Sequence, residues 1–238
     1  MNKLFTSSAM ALVLAGGFTV STQAASTLTD AEAKTLQFMH EEEKLAKDVY
    51  LTLYDKWNIR SFSNIAGAEQ RHQDKLKGLL DQYGVPSVIQ SSTVGDFANP
   101  ELAKMYKDLT TQGLASLEGA LKVGGMIEEL DIMDLQKAIA ESDKADIDIT
   151  YEHLMRGSRN HLRAFAKQYS KNVGGTYQAQ LMPAAEVNAI ITSDQERGGG
   201  AGGQGHGGKG QGGGHGKGNG GQGGYGKRHG QQNHDQEV

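Results

Sequence analysis

The sequence predicts an all-α protein, four long helices in a bundle with a long crossover between the second and third. Three observations predict it. Apolar residues recur at alternating spacings of three and four through four separate stretches, the period of one helix face. Start and stop signals bracket these stretches, such as Thr29-Asp30-Ala31-Glu32 before the first and Gly84-Val85-Pro86 after the second. β-Branched residues are sparse and nowhere alternate in the period of a half-buried strand.

Ahead of the first helix, Met1-Asn2-Lys3 is a short basic start, and the apolar run from Ala9 to Val20 is too short to anchor in a membrane. Thr22-Gln23-Ala24 then offers small residues for cleavage before Ala25. Residues 1–24 are therefore expected to be a secretory signal peptide, and the mature protein to be exported, periplasmic or extracellular. Residues 28–196 form the helical domain.

The first helix opens at the Thr29 cap and runs to Trp57, with a seam of Leu36, Met39, Glu43, Ala46, Tyr50, Leu53 and Trp57. The second spans 63–83, its seam being Ile65, Glu69, His72, Leu76, Leu79 and Tyr83. Asn99-Pro100-Glu101, a cap with proline at the first helical position, starts a short crossover helix over 101–112. The third long helix covers 114–141 along Leu114, Leu117, Leu121, Gly124, Glu128, Asp131, Leu135 and Ala138. The fourth covers 146–171 along Ile147, Tyr151, Leu154, Ser158, His161, Phe165 and Gln168, and Gly174-Gly175 ends it. A last short helix is expected over Pro183–Thr192.

Residues 197–238 are mostly glycine with Gln, His, Lys and Asn, which gives a chain with almost nothing apolar to bury and an expectation of disorder. His206, His215, His229 and His234 are dispersed through it, beside Lys209, Lys217, Lys227 and Arg228. Both loose metal capture and simple solubilisation fit that composition. The glycine repeats lack the Gly-Lys-Ser/Thr ending of a phosphate loop. A formal net charge of -4 gives no support to nucleic-acid binding. The chain has no cysteine, which removes disulfides, thiolate ligands and cysteine nucleophiles. After residue 24 no apolar run reaches the ~20 residues of a spanning helix, so no stable membrane anchor is expected.

Each seam is interrupted near its middle by groups that should not be buried without a partner. Glu43 interrupts the first, Glu69 and His72 the second, Glu128 and Asp131 the third, Ser158 and His161 the fourth. Burying a carboxylate or a charged imidazole costs several kcal/mol unless it is paired. Residues midway along antiparallel helices lie at similar heights, so these groups can converge on one interior site. Carboxylates with neutral imidazoles suit iron, manganese or zinc, and carboxylates can bridge two ions. The metal candidates are Glu43, Glu69, His72, Glu128, His161 and Asp131.

Around this site, Glu41 and Glu42 are expected to face solvent or approach Lys44 and Lys47, and Glu129 to lie at the surface or to support a ligand. Arg159 and Arg163 either form surface ion pairs or neutralise a site carboxylate. Tyr50 and Tyr151 are expected to pack near the centre, with Tyr50 able to hydrogen-bond a ligand. Trp57 and Phe165 are expected in the core.

The segments Glu43-x-x-Ala46-x-x-x-Tyr50 and Ala68-Glu69-x-x-His72 resemble the first two iron-binding helices of rubrerythrin. With Glu41-Glu42-Glu43-Lys44-Leu45-Ala46-Lys47-Asp48-Val49-Tyr50, Ile127-Glu128-Glu129-Leu130-Asp131-Ile132 and Gly157-Ser158-Arg159-Asn160-His161-Leu162, the chain resembles a ferritin-like family catalogued as a domain of unknown function. The likeness covers most of residues 30–170. It implies a ferritin-like four-helix bundle with a core site for two iron ions, manganese and zinc being alternatives. It further implies O₂ or peroxide as the partner of any oxidoreductase chemistry, ferroxidase or peroxidase, and pairing into a homodimer. A metal-sequestering module without turnover and a metal-free structural bundle are the alternatives. The fourth helix departs from the pattern, since Ser158 stands where a glutamate is expected three residues before His161. Asp131, one turn beyond Glu128, is a candidate to fill that place, and Glu152 lies farther along the fourth helix; the alternative is a site that holds one metal, or two unequally.

Overall fold

The computed structural model describes residues 27–197. The expected leader over 1–24 and the glycine-rich segment from 198 onward lie outside them. The described residues are all-helical, with α1 (Asp30–Trp57), α2 (Arg60–Gln82), α3 (Pro100–Ala115), α4 (Leu117–Glu141), α5 (Ala145–Asn172) and α6 (Ala184–Thr192).

Local chemistry sets the boundaries. Thr29 and Glu32 form a reciprocal capping box at the start of α1, which satisfies two otherwise orphaned amides. Asn58 ends α1 in the left-handed region at φ 50°, a conformation that asparagine tolerates better than most residues. Only Asn58 and Ile59 separate α1 from α2, so the two fold back as a hairpin. The second helix starts at Arg60, three residues earlier than its composition suggests, and has no side-chain cap.

The third long helix starts later than expected. Leu114 belongs to α3 and is exposed; Ser116 is extended at φ −158° and caps α4 through Gly119 N. A serine whose hydroxyl can take an orphan amide breaks the chain there more effectively than leucine periodicity can carry it through.

The closest helix pairings are α1 with α2 and α4 with α5, and these two hairpins meet along α1/α4 and α2/α5. Cross-helix pairs fix the directions. Tyr50 reaches Gly124 and Glu128, whereas Glu32 near the start of α1 reaches Lys144 just past the end of α4, so α1 and α4 are antiparallel. Tyr83 meets Asp146 and Glu69 meets His161, so α2 and α5 are antiparallel too. The crossover returns along α1, and Trp57 Nε1 donates to Gly113 O at 2.9 Å. Trp57 is therefore half-buried and hydrogen-bonded at a helix end, where a core position was expected. Phe165 is fully buried as expected.

Two apolar clusters bracket the middle of the four long helices. One is built on Tyr50, Phe62 and Phe165, whose ring centroids are 5.2–6.1 Å apart. The other joins Leu36, Leu76, Leu80, Leu135, Ile147 and Leu154. Tyr151 belongs to this second cluster, away from the polar centre. Burial of each such side chain contributes about 1.5–3 kcal/mol, and together they keep water from the polar layer between them. A third cluster seats Tyr177, Met182 and Val187 against Ile132 and Leu162.

The face of α1 away from the seam is also covered. Glu41 accepts from the amides of Ala98 at 2.5 Å and Asn99 at 3.1 Å. Lys44 Nζ donates to Asp48 and to Thr93 O, and lies 4.5 Å above the Phe97 ring. Gly95 N donates to Asp48 at 3.0 Å. Glu41 and Glu42 are thus buried, contrary to the expectation of solvent exposure. The crossover segment lies over the outer surface of α1, and an amphipathic pattern gives no hint of a second covering layer.

Candidate metal centre

Helix periodicity places Glu43, Glu69, Glu128, His72 and His161 on inward faces, and the packing brings them to one layer. Glu69 of α2 stands in the middle. His72 Nδ1 lies 2.8 Å from Glu69 Oε2 and 3.5 Å from Glu43 Oε2. His161 Nδ1 lies 2.9 Å from Glu69 Oε1 and 3.4 Å from Glu128 Oε2. Two groups of potential ligand atoms result, Glu43/Glu69/His72 and Glu69/Glu128/His161, and they share Glu69. The two imidazoles stack with centroids 5.7 Å apart.

Those short contacts are not hydrogen bonds. Glu43 Oε1, Glu69 Oε1, His72 Nδ1 and His161 Nδ1 are buried and lack any partner of hydrogen-bond geometry. Buried polar atoms are nearly always satisfied, so several orphans converging in one layer need a common partner. Bonds of about 2.1 Å at right angles around a cation put neighbouring donor atoms about 3 Å apart. The observed separations match that spacing, and the donor set of carboxylate oxygens and imidazole nitrogens fits iron, manganese or zinc.

The surroundings hold the donors in place. Tyr50 OH donates to Glu128 Oε1 at 2.6 Å and lies 3.2 Å from Gly124 O, which fixes the Glu128 rotamer. Gly157 of α5 passes so close to His72 that an added Cβ would lie 2.7 Å from its Cε1 and 2.8 Å from its Nε2. Only glycine leaves the imidazole its room there. Ser158 is buried, donates to the Asp131 carboxylate and contacts Leu154 O. Asp131 therefore shares the buried layer but stands outside both groups of three, its carboxylate engaged by the serine hydroxyl. Glu152 is exposed and cannot fill the position.

Burial and mutual charge set the protonation of the metal-free centre. Burial opposes ionisation of Glu69, but His161 and His72 together hold its carboxyl well below the usual carboxylate range. Burial likewise disfavours the charged imidazoles; Glu43 and Glu69 nevertheless raise His72 to about 11, and Glu69 and Glu128 raise His161 to about 10. Glu128 is pushed up to about 7 by burial and by Glu69, against the pull of His161. Burial drives Glu43 well upward, with His72 opposing, and carries Asp131 to about 6 against the Ser158 hydrogen bond.

Two acidic residues outside this set have roles that the seams do not reveal. Glu42 is buried with both oxygens unpartnered. Glu129 is fully buried, neither at the surface nor at the centre. It accepts from Tyr177 OH at 2.7 Å and from the amides of Gln180, Leu181 and Met182 at 2.7–3.0 Å. Gly125, one turn earlier, leaves the space that the Tyr177 phenol fills. A glycine and a glutamate four apart on an off-seam face were the available signal. Arg159 and Arg163 pair with Glu196, so neither of these guanidinium groups neutralises the centre.

Comparison with known proteins gives a consistent result. A family profile described as an uncharacterized protein domain (DUF2202) matches residues 32–194. Uncharacterized protein MJ0754 of Methanocaldococcus jannaschii is 47% identical over 171 residues, covering 72% of this chain and 92% of the relative. A crystal structure of hypothetical protein MJ0754 from Methanococcus jannaschii DSM 2661 superposes with a TM-score of 0.70 at 45% identity. It covers 74% of this chain and all of the solved one. No helix among the described residues is long and apolar enough to cross a membrane.

Proposed function

We propose that this chain, which belongs to the DUF2202 family, is a ferritin-like four-helix-bundle protein whose buried carboxylate and imidazole centre holds a pair of metal ions, iron in the first instance. One observation carries the proposal: Glu69 presents one oxygen to each of two imidazole nitrogens at 2.8 and 2.9 Å, yet the nitrogens make no hydrogen bond. The antiparallel pairings of α1 with α4 and α2 with α5, joined by a crossover, support the ferritin-like topology.

Glu69 would be shared between the ions, Glu43 and His72 would serve one, and Glu128 and His161 the other. Iron held there supplies one-electron exchange with O₂ or peroxide, by class analogy. The protein's own contributions are distinct. Tyr50 orients Glu128, Gly157 leaves room for His72, and the apolar clusters on either side exclude bulk water. Asp131 accepts the Ser158 hydroxyl hydrogen bond and keeps a carboxyl group beside the centre where the usual fourth-helix glutamate is missing. Export is proposed on residues 1–24 alone.

Metal analysis of the untagged full chain, reconstituted with ferrous iron or Mn²⁺, tests the centre. About two ions per chain are expected. Glu69→Gln should lower affinity by about a hundredfold or more, since it removes the charge that both halves share. No retained metal in the native chain would overturn the proposal.

Ser158 favours a second reading, sequestration without turnover, because that face of the centre offers one carboxylate fewer than the di-iron pattern. Mixing the ferrous protein anaerobically with peroxide separates the two. Rapid growth of near-ultraviolet absorbance supports oxidoreductase chemistry, and an unchanged spectrum with retained metal supports sequestration.

A further inference from the structure

Four seams join the long helices, and at the height of the centre three of them are closed. Across α1/α2, Lys47 Nζ donates to Gln70 Oε1 at 3.0 Å and Gln73 Oε1 at 3.3 Å. Across α1/α4, Tyr50 OH reaches Glu128 at 2.6 Å, and Glu42 is only 4% exposed. Across α4/α5, the buried Ser158 hydroxyl donates to Asp131. The α2/α5 seam is fastened toward its ends. Tyr83 and Gln82 hold Asp146 at 2.6–2.9 Å on one side, and Phe62, Ile65 and Phe165 pack together on the other. Between those ends stand the stacked rings of His72 and His161.

Exposure follows the same division. Glu43, Glu69 and Glu128 are 2–3% exposed, whereas the His72 and His161 side chains are 13% and 14% exposed. Both Nδ1 atoms are buried and turned toward Glu69, so the exposure belongs to the far edge of each ring, which carries Nε2. An imidazole that binds a cation through Nδ1 keeps its proton on Nε2. The seam therefore presents two N–H donors at its floor. Gly157 of α5 forms the wall beside them, since a Cβ there would lie 2.8 Å from His72 Nε2 and 3.9 Å from His161 Cε1. Ala68, one turn before His72, and Ala164, three residues after His161, are their neighbours along the seam.

We infer that this seam is where the centre receives its oxidant, and that the oxidant is an oxygen species no larger than peroxide, met by the outward N–H groups of His72 and His161. The inference rests on the metal-centre proposal above and adds a route and a size limit to it. Peroxide suits the opening because its oxygens accept from N–H donors. A bulky organic hydroperoxide would have to displace α2 or α5, given that a single methyl added at Gly157 already collides with His72.

The test uses full-length protein and two readouts. Co²⁺-loaded protein is titrated with azide, a small anion that accepts hydrogen bonds, and the visible cobalt spectrum reports its binding without turnover. Ferrous protein is mixed anaerobically with hydrogen peroxide and, separately, with cumene hydroperoxide, and the near-ultraviolet absorbance is followed. Native protein should bind azide and react about a hundredfold faster with hydrogen peroxide than with the bulky reagent. Ala164→Leu and Ala68→Leu should each weaken azide binding about tenfold or more with cobalt content unchanged. The comparison of hydroperoxides needs no variant and stands should a leucine variant fold poorly. An unresponsive cobalt spectrum in native protein, full azide affinity in either leucine variant, or equal rates with the two hydroperoxides would each overturn the route. Protein that reacts with neither hydroperoxide would overturn it as well and leave sequestration as the reading of the centre. A native protein that retains no cobalt would remove the centre itself, an outcome distinct from these.

Discussion

Gly157 is the residue on which His72 depends for its room. Since a Cβ there would sit 2.7 Å from the imidazole, Gly157→Ala should push His72 off Glu69 while α5 itself gains helix propensity. Metal affinity is expected to fall by about ten- to a hundredfold, with circular dichroism unchanged. His40 shows the opposite logic, a histidine held neutral. Burial, reinforced by Lys77 and Lys47 and opposed by Asp74 and Asp81, pulls its imidazole down to about 4 from the usual 6.5. The unfolded chain therefore binds the extra proton between those values. Stability is complete above pH 6.5 and declines as pH falls toward 4, by up to about 3 kcal/mol from this group. His40→Gln should flatten that decline in urea unfolding measured at pH 7 and pH 5. At this scale the central groups were legible because a charge on an apolar seam is conspicuous. Glu42 and Glu129 were not, since residues off the seam carry no such contrast.

Among the elements, the start of the segment after α5 is pinned by one buried carboxylate beside its apolar cluster. Glu129 satisfies three consecutive amides and the Tyr177 phenol, and hydrogen bonds to a charged group contribute about 1.5–3 kcal/mol each. Glu129→Ala should cost about 3–5 kcal/mol and open residues 176–182 to limited proteolysis, with little change in metal content. Fast hydrogen exchange at Gln180, Leu181 and Met182 is the direct readout. The helices themselves were legible from periodicity and caps to within a few residues. A residue was given to the wrong helix at Leu114, where apolar spacing continued through a serine that ends one helix and starts the next. Periodicity reports a face, whereas a cap decides where the backbone turns.

For the whole molecule, metal should act as a structural ligand as well as a functional one. A cation present at a hundred times its Kd stabilises by about 2.7 kcal/mol, which corresponds to a melting increase of about 5–10 °C for a domain of this size. The increase should grow between pH 6 and 8, because Glu128, pushed up to about 7, loses its proton there and the ion competes with fewer protons. Calorimetry in buffers of different ionisation enthalpy should register the protons released. All-α architecture was legible in the sequence. The short helices of the two added layers were legible too, but where those layers dock was not, because the crossover on α1 and the segment after α5 on α4 are each fastened by backbone amides to a buried glutamate that lies off the apolar seams. The chain's single tryptophan has a use in this context. Its indole is tied to Gly113 at the junction of α1 and α3, about 10 Å along the helix axis from Tyr50. Intrinsic fluorescence is therefore a built-in lamp for the crossover: a red shift signals that α3 has lifted, without any dye or label.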